Sequence, residues 1–309
     1  MIKKNAMKWH SYPLIFISLA IILQSGCGRS NPASPEISDD EAINLLISSS
    51  NYADYSNYTD DGLSEFIPTY LKSDSFPSDI FFRRRIEARS HNISIIYDSS
   101  RTFATALITT DFTGRLVIDN NQNGVCDTVF KPVHDQGLRY VWVKKWSNRW
   151  RVYGTSPMVV QTANPANKVS IDSIRVDGDL GLRTKVMFKN QEFGQPLRRE
   201  EMPIFYQGAE VTLTVWASLE QASDSCWAFM HRRVLQNGVM DHLRVPMLRQ
   251  SRFEFSFCWT VDAITAPVVR HAAIDVLLGS TLFGDSTAEY SACIWTTPYI
   301  VTNNDSLPK

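Results

Sequence analysis

At 309 residues, with 44 % hydrophobic and 20 % charged side chains, the chain can bury a sizeable core and is neither a disordered tail nor a multi-span membrane chain. Lysine plus arginine number 31 against 32 for aspartate plus glutamate, and Arg83, Arg84 and Arg85 form the longest basic run, which argues against a nucleic-acid partner. The length suits two domains of ordinary size.

Residues 1–26 have the form of an export signal, with Lys3, Lys4 and Lys8 ahead of an apolar core from Leu14 to Leu23. That core is half the ~20 apolar residues a spanning helix needs, so a processed signal is expected rather than a permanent span. Leu23, Gln24, Ser25, Gly26 and Cys27 resemble the lipobox of bacterial lipoproteins, although Gln24 stands where that family prefers Leu. The resemblance implies a lipid on Cys27, a cell-envelope location and, with Gly28 rather than Asp after the cysteine, transport to the outer membrane. Residues 27–40, with Pro32 and Pro35 among small polar residues, read as a tether holding the folded body off the bilayer. Without residues 1–26 the chain has 28 basic against 32 acidic side chains, a net charge of −4.

Ser38, Asp39, Asp40 and Glu41 form a capping-box pattern, and Ile43, Leu46 and Ile47 follow at helical spacing, which predicts a helix. From Asn51 to Arg89 the aromatic residues near Pro68 and Pro77 suggest short helices broken at the prolines. From Asn92 the period becomes two. Strands are expected at 93–97, 103–110, 115–118, 128–130, 138–146 and 150–153, separated by turn dipeptides. This order of helices followed by a meandering sheet, ending on Trp150, Arg151 and Val152, resembles the nuclear-transport-factor-2-like family over residues 41–158. The resemblance implies a cone-shaped α+β domain, used in that family by enzymes, ligand binders and inert modules alike. His91 and His134 are the histidines of this half that would serve an enzyme's pocket.

Residues 159–168 read as a linker, and strands are expected at 169–176, 185–188, 211–216, 226–231, 252–261, 272–278 and 290–295. Phe253, Phe255, Phe257 and Trp259 alternate with Arg252, Glu254, Ser256 and Cys258, the mark of one buried face. Residues 169–303 resemble immunoglobulin-like β-sandwich domains of bacterial surface proteins in architecture, with 304–309 as a tail. Cys126, Cys226, Cys258 and Cys293 have no metal-ligand spacing; one bridge among the last three and buried thiols are both open.

Asp119, Asn121, Asn123 and Asp127 resemble a D-x-D-x-D-G calcium loop, which implies a weak calcium site with two neutral amide ligands. Asn123 followed by Gly124 between two apolar runs predicts that this segment is chiefly a hairpin tip and at most a weak calcium site. The chain lacks the nucleophile-elbow, phosphate-loop, zinc-helix and dinucleotide motifs. Asp241 beside His242, and Asp275 near His271, are acid–histidine neighbours of the kind that chance supplies. Trp142, Trp146 and Trp150 would stack a sugar or pack the fold. The function expected from these features is a lipid-anchored envelope module that binds an envelope protein or glycan without catalysis. The alternative is an enzyme or carbohydrate-active accessory using the cone pocket.

Overall fold

The Ser38 hydroxyl accepts a hydrogen bond from the Glu41 amide at 3.2 Å and caps helix α1 (Asp39–Ser48), as the S-x-x-E pattern predicts. Ile43 and Ile47 form the buried stripe of this helix. Asp39, in its first turn, accepts from Lys145 Nζ and Trp150 Nε1 at 2.8 Å each, which ties the helix to the sheet beneath it. Those two hydrogen bonds hold the Asp39 carboxyl below the usual range. The computed structural model describes residues 37–53, 76–77, 80–119, 128–163, 165, 167–178, 181–183, 185–189, 195–236, 239–264 and 267–303.

Seventeen strands follow α1 in the described residues: β1 (Phe81–Tyr97), β2 (Phe103–Asp119), β3 (Val129–Trp146), β4 (Arg149–Thr155), β5 (Met158–Thr162), β6 (Val169–Gly178), β7 (Gly181–Arg183), β8 (Lys185–Lys189), β9 (Leu197–Arg198), β10 (Ile204–Tyr206), β11 (Glu210–Leu219), β12 (Cys226–Gln236), β13 (Val239–Pro246), β14 (Leu248–Arg249), β15 (Glu254–Thr260), β16 (Val268–Leu278) and β17 (Ala292–Thr302). A one-turn helix, α2 (Gly279–Phe283), joins the last two strands. A twelve-stranded sheet runs β1-β2-β3-β5-β17-β16-β12-β13, with β4, β7, β9 and β10 branching from it. A second, five-stranded sheet runs β14-β15-β11-β6-β8.

The large sheet curls. Arg84 on β1 hydrogen-bonds Asp275 on β16, and Arg244 on β13 donates to the Phe82 carbonyl on β1, so strands remote in the sheet order face each other across a roll. Phe82, Leu116, Ile118 and Val133 from β1–β3 pack in that roll against Phe229, Leu277, Leu282, Tyr290 and Ala292. The opposite face of β12, β16 and β17 carries Met230, Ile274, Val276 and Trp295 into a second core, shared with Ile174, Leu213, Val215 and Phe255 of the five-stranded sheet. Two layers around a rolled sheet replace the expected architecture.

The nuclear-transport-factor-2-like cone is therefore overturned. Among the described residues the α-helices are α1 and α2 alone, and Phe81 to Arg89, expected to be helical, is strand. The immunoglobulin-like sandwich is not self-contained, because its β16 and β17 belong to the sheet that the first half enters. The reason lies in β5: Val160 opposes Gly137 of β3 on one side and Ile294 of β17 on the other, so residues 158–162, most of which were expected to be linker, stitch the two runs of strands together.

Strand β1 keeps its phase by a bulge, since Ile86 opposes Gly114 while Ala88 opposes Thr113, leaving Glu87 as the extra residue. A Cβ on Gly114 would stand 2.0 Å from the Arg85 carbonyl oxygen and 2.9 Å from Ile86 Cα. Gly114→Ala is expected to cost about 1–3 kcal/mol in urea unfolding through overpacking. An unchanged midpoint would show that the bulge relaxes freely.

Candidate functional site

Ser147 (φ 45°) and Asn148 (φ 64°) form the two-residue turn between β3 and β4, with both angles in the left-handed region that such hairpins require. The turn sets Trp146 opposite Arg149, and alternation then sends Trp142 and Trp146 to the face turned away from α1, while Trp150 lies buried on the other face. Of the three tryptophans considered together from sequence, two share a surface. A bulge between Trp142 and Val143 makes Tyr153 the extra residue of β4 and brings it to the same outward surface. Phe103 completes the group from β2, with ring centroids 5.9 Å from Trp142 and 6.0 Å from Tyr153. Trp146 lies 6.3 Å from Tyr153.

This surface is open to solvent: Trp146 is 46 % exposed, and Ile96, in register with Thr105 and hence with Trp142, is 67 % exposed. Its charge is positive. Lys144 Nζ stands 4.9 Å from the Trp146 ring and 5.6 Å from Tyr153, and exposed Arg149 and Arg151 follow on β4. Arg198 is pinned to Glu201 (Nε to Oε1, 2.8 Å) and leans on Tyr153; these contacts push its pKa up. Solvent-facing rings beside cations can stack the apolar face of a sugar ring while hydrogen-bonding its acidic substituents.

Beneath the other face lies a cleft of about 380 Å³, walled by the Ser48–Asn51 turn and Ala53 and floored by β1, β2, β3 and β5. Arg89 and His91 line its side and Arg139 its floor. Arg139 is 2 % exposed and donates from Nη2 to Thr296 Oγ1 at 2.7 Å. His271 Nε2 lies 2.7 Å from the Asn51 carbonyl oxygen, bracing the turn.

One acid–histidine contact was missed by sequence reading. Asp275 meets His231 Nε2 at 3.4 Å rather than His271, and it also takes both Arg84 amines, Nη1 at 2.5 Å and Nη2 at 2.8 Å. Arg84 Nε donates to the Tyr290 hydroxyl at 2.8 Å, which donates to Asp135 Oδ2 at 2.7 Å. His231 Nδ1 lies 3.3 Å from His242 Nε2. Burial alone would raise the Asp275 pKa, yet the charge of Arg84 and the hydrogen bonds from His231 and Arg84 hold it at about 2. The side chains of Asp275 and His231 are 1 % and 2 % exposed, so this network closes the roll and does not open on a substrate. His91 and His134 are both exposed, on β1 and β3. The side chain of Asp241 lies outside the described residues.

Asp119 ends β2 opposite Phe81, whereas Asn121, Asn123 and Asp127 lie outside the described residues, as do Cys27 and Cys126. Among the described residues no three His, Cys, Asp or Glu side chains gather as a metal site would need, and no helix is long and apolar enough to cross a membrane. Cys226 and Cys293 are buried thiols, each pushed up to about 12 by burial. No protein-family model matches the chain, and no curated protein matches it. The fold and its surface define a mostly β protein with an open aromatic and basic sheet face.

Proposed function

We propose that the chain is a lipid-anchored bacterial envelope protein that binds an acidic glycan on the outward face of β2, β3 and β4. The observation that carries this reading is the row of Phe103, Trp142, Tyr153 and Trp146 with Lys144 among them: four rings on the outward face within about 6 Å of their neighbours, Trp146 exposed and the other three half-buried. Rings spent on core packing would sit on the inner face with Trp150; these do not. The lipobox-like Leu23–Cys27 segment and the tether after it support the envelope setting.

Two measurements test the reading. Cys27→Ser is expected to move the protein from the membrane fraction to the soluble one, and unchanged membrane retention would remove the anchor. The Cys27→Ser chain should co-sediment with purified peptidoglycan sacculi, an envelope glycan rich in carboxylates, and not with neutral dextran beads. Trp146→Ala should lower that binding at least tenfold, in line with the ~1–3 kcal/mol that ring truncation costs at binding surfaces, with the unfolding midpoint unchanged. Undiminished co-sedimentation of Trp146→Ala would overturn the assignment of this face.

A further inference from the structure

A second cleft, of about 510 Å³, adjoins residues 49–52, and segments remote in the chain wall it: the end of α1, strand β4, the turn at Arg199 and the start of β16. Register explains why they meet. Gly154 of β4 opposes Arg198 and Thr155 opposes Leu197, which sets the Arg199–Glu201 turn beside β4. Ile204, just beyond that turn, opposes Ile300 of β17, which in turn opposes Val269 of β16. Tyr52 packs with Met202, Ile204 and Ile300 in the small core that joins these walls.

The described residues lining this cleft include two arginines, Arg151 and Arg199, and no carboxylate. Glu200 and Glu201, the acids of the adjoining turn, both meet Arg198 instead: Arg198 Nε donates to Glu201 Oε1 at 2.8 Å, and its Nη1 stands 3.7 Å from Glu200 Oε1. Arg199 sits over the Tyr52 ring, its Cζ 5.5 Å from the centroid, and its Nε is buried with no hydrogen-bond partner among the described residues. An aromatic face attracts a cation without cancelling its charge. Burial pushes the Tyr52 pKa up, so the phenol stays protonated and adds no negative group. Exposed Arg151 supplies the second cation at the rim. Ser50 Oγ accepts from the Tyr52 amide at 3.2 Å, which leaves its O–H to donate. The C-terminus of α1 carries about half a negative charge, which two guanidinium charges outweigh. Leu46, Pro267, Val268 and Val269 make the rest of the wall apolar. Two guanidinium groups converging beside an apolar wall are the elements by which a pocket selects an anion with a hydrocarbon body.

We propose that this cleft binds a small organic phosphomonoester, whose dianionic head meets Arg199, Arg151 and the Ser50 hydroxyl and whose apolar body lies along Leu46, Val268 and Val269. Two cations match the two charges of the head, and its three free oxygens accept from both guanidinium forks and the hydroxyl together, where a carboxylate has one charge and two oxygens to offer. The inference does not rest on the glycan-binding reading, for none of Phe103, Trp142, Tyr153 and Trp146 lines this cleft.

The test is isothermal titration of the full mature chain carrying Cys27→Ser, at about pH 7.5, where a phosphomonoester is largely dianionic. Phenyl phosphate is the probe and benzoate its monoanionic match. Phenyl phosphate is expected to bind saturably at one site and at least tenfold more tightly than benzoate, and Arg199→Gln should lower its affinity at least tenfold. Should Arg199→Gln fail to fold, Arg151→Gln, at an exposed position, should lower the affinity several-fold with the unfolding midpoint in place. Phosphatidylcholine vesicles containing phosphatidic acid present the same head group on a lipid and should not sediment the chain. Absence of saturable phenyl phosphate binding, equal affinity for benzoate, affinity unchanged in the folded variants, or sedimentation with the vesicles would each overturn the proposal.

Discussion

Replacing Arg84 with Met is expected to destabilise the protein by about 3–5 kcal/mol, because it leaves the Asp275 carboxylate buried with its main counter-charge removed. That is a large share of the ~5–15 kcal/mol that holds an ordinary domain together. The double variant Arg84→Met with Asp275→Leu should recover much of the loss, since it removes both charges together. Urea unfolding of the single and double variants checks this, and additive losses would show that the pair is not coupled. The same pair sets an acid limit. Asp275 ionises near 2 in the folded protein against 3.8 unperturbed, so its contribution is complete above about pH 4 and is lost as the pH falls toward 2. In the Asp275→Leu background the acid limb of the stability profile should flatten.

Separating the chain after residue 163 is expected to leave the first half unfolded. Phe82, Leu116, Ile118 and Val133 pack against residues of β12, β16 and the β16–β17 connection, and Phe112, Met158 and Val160 pack against Ala273 and Ile294. Exposing these seven side chains forfeits about 10–20 kcal/mol at ~1.5–3 kcal/mol each, an upper range that matches or exceeds a domain's whole stability. Circular dichroism of a 41–163 fragment, alone and mixed with its complement, reads the outcome. A cooperative unfolding transition of the isolated fragment would restore the view of two separate folding units.

The parts legible in the sequence were those with an undisturbed local code. The Ser38 cap, the alternation of Phe253 to Trp259, and the Ser147–Asn148 turn each depend on neighbours a few residues away. Strand β1 was hidden for two reasons. Its inward position 84 is an arginine, so Arg83, Arg84 and Arg85 look uniformly polar although only Arg84 is buried, and the bulge at Glu87 shifts the period of two midway. The role of β5 was hidden because five residues carry no length signal, and its two partners lie far apart in the chain. The aromatic face was half visible: Trp142 and Trp146 stand out, but Phe103 and Tyr153 join them through register and a bulge that no pattern announces. His231 and Arg84 gave no sign of sharing Asp275, for 191 residues separate Arg84 from that carboxylate.

That separation also has a meaning in time. A chain made from its N-terminus delivers β1, β2 and β3 first, and these three can pair at once through short connections. Their inner face then waits, with Phe82, Leu116 and Val133 uncovered and Arg84 without its carboxylate, until nearly two hundred more residues have emerged and β16 arrives. The long loop adds little to the equilibrium cost of closure but lengthens the search for it. Throughout that interval the nascent hairpins expose a sticky apolar surface, so the step most open to aggregation, and most in need of a chaperone, is the closing of the roll.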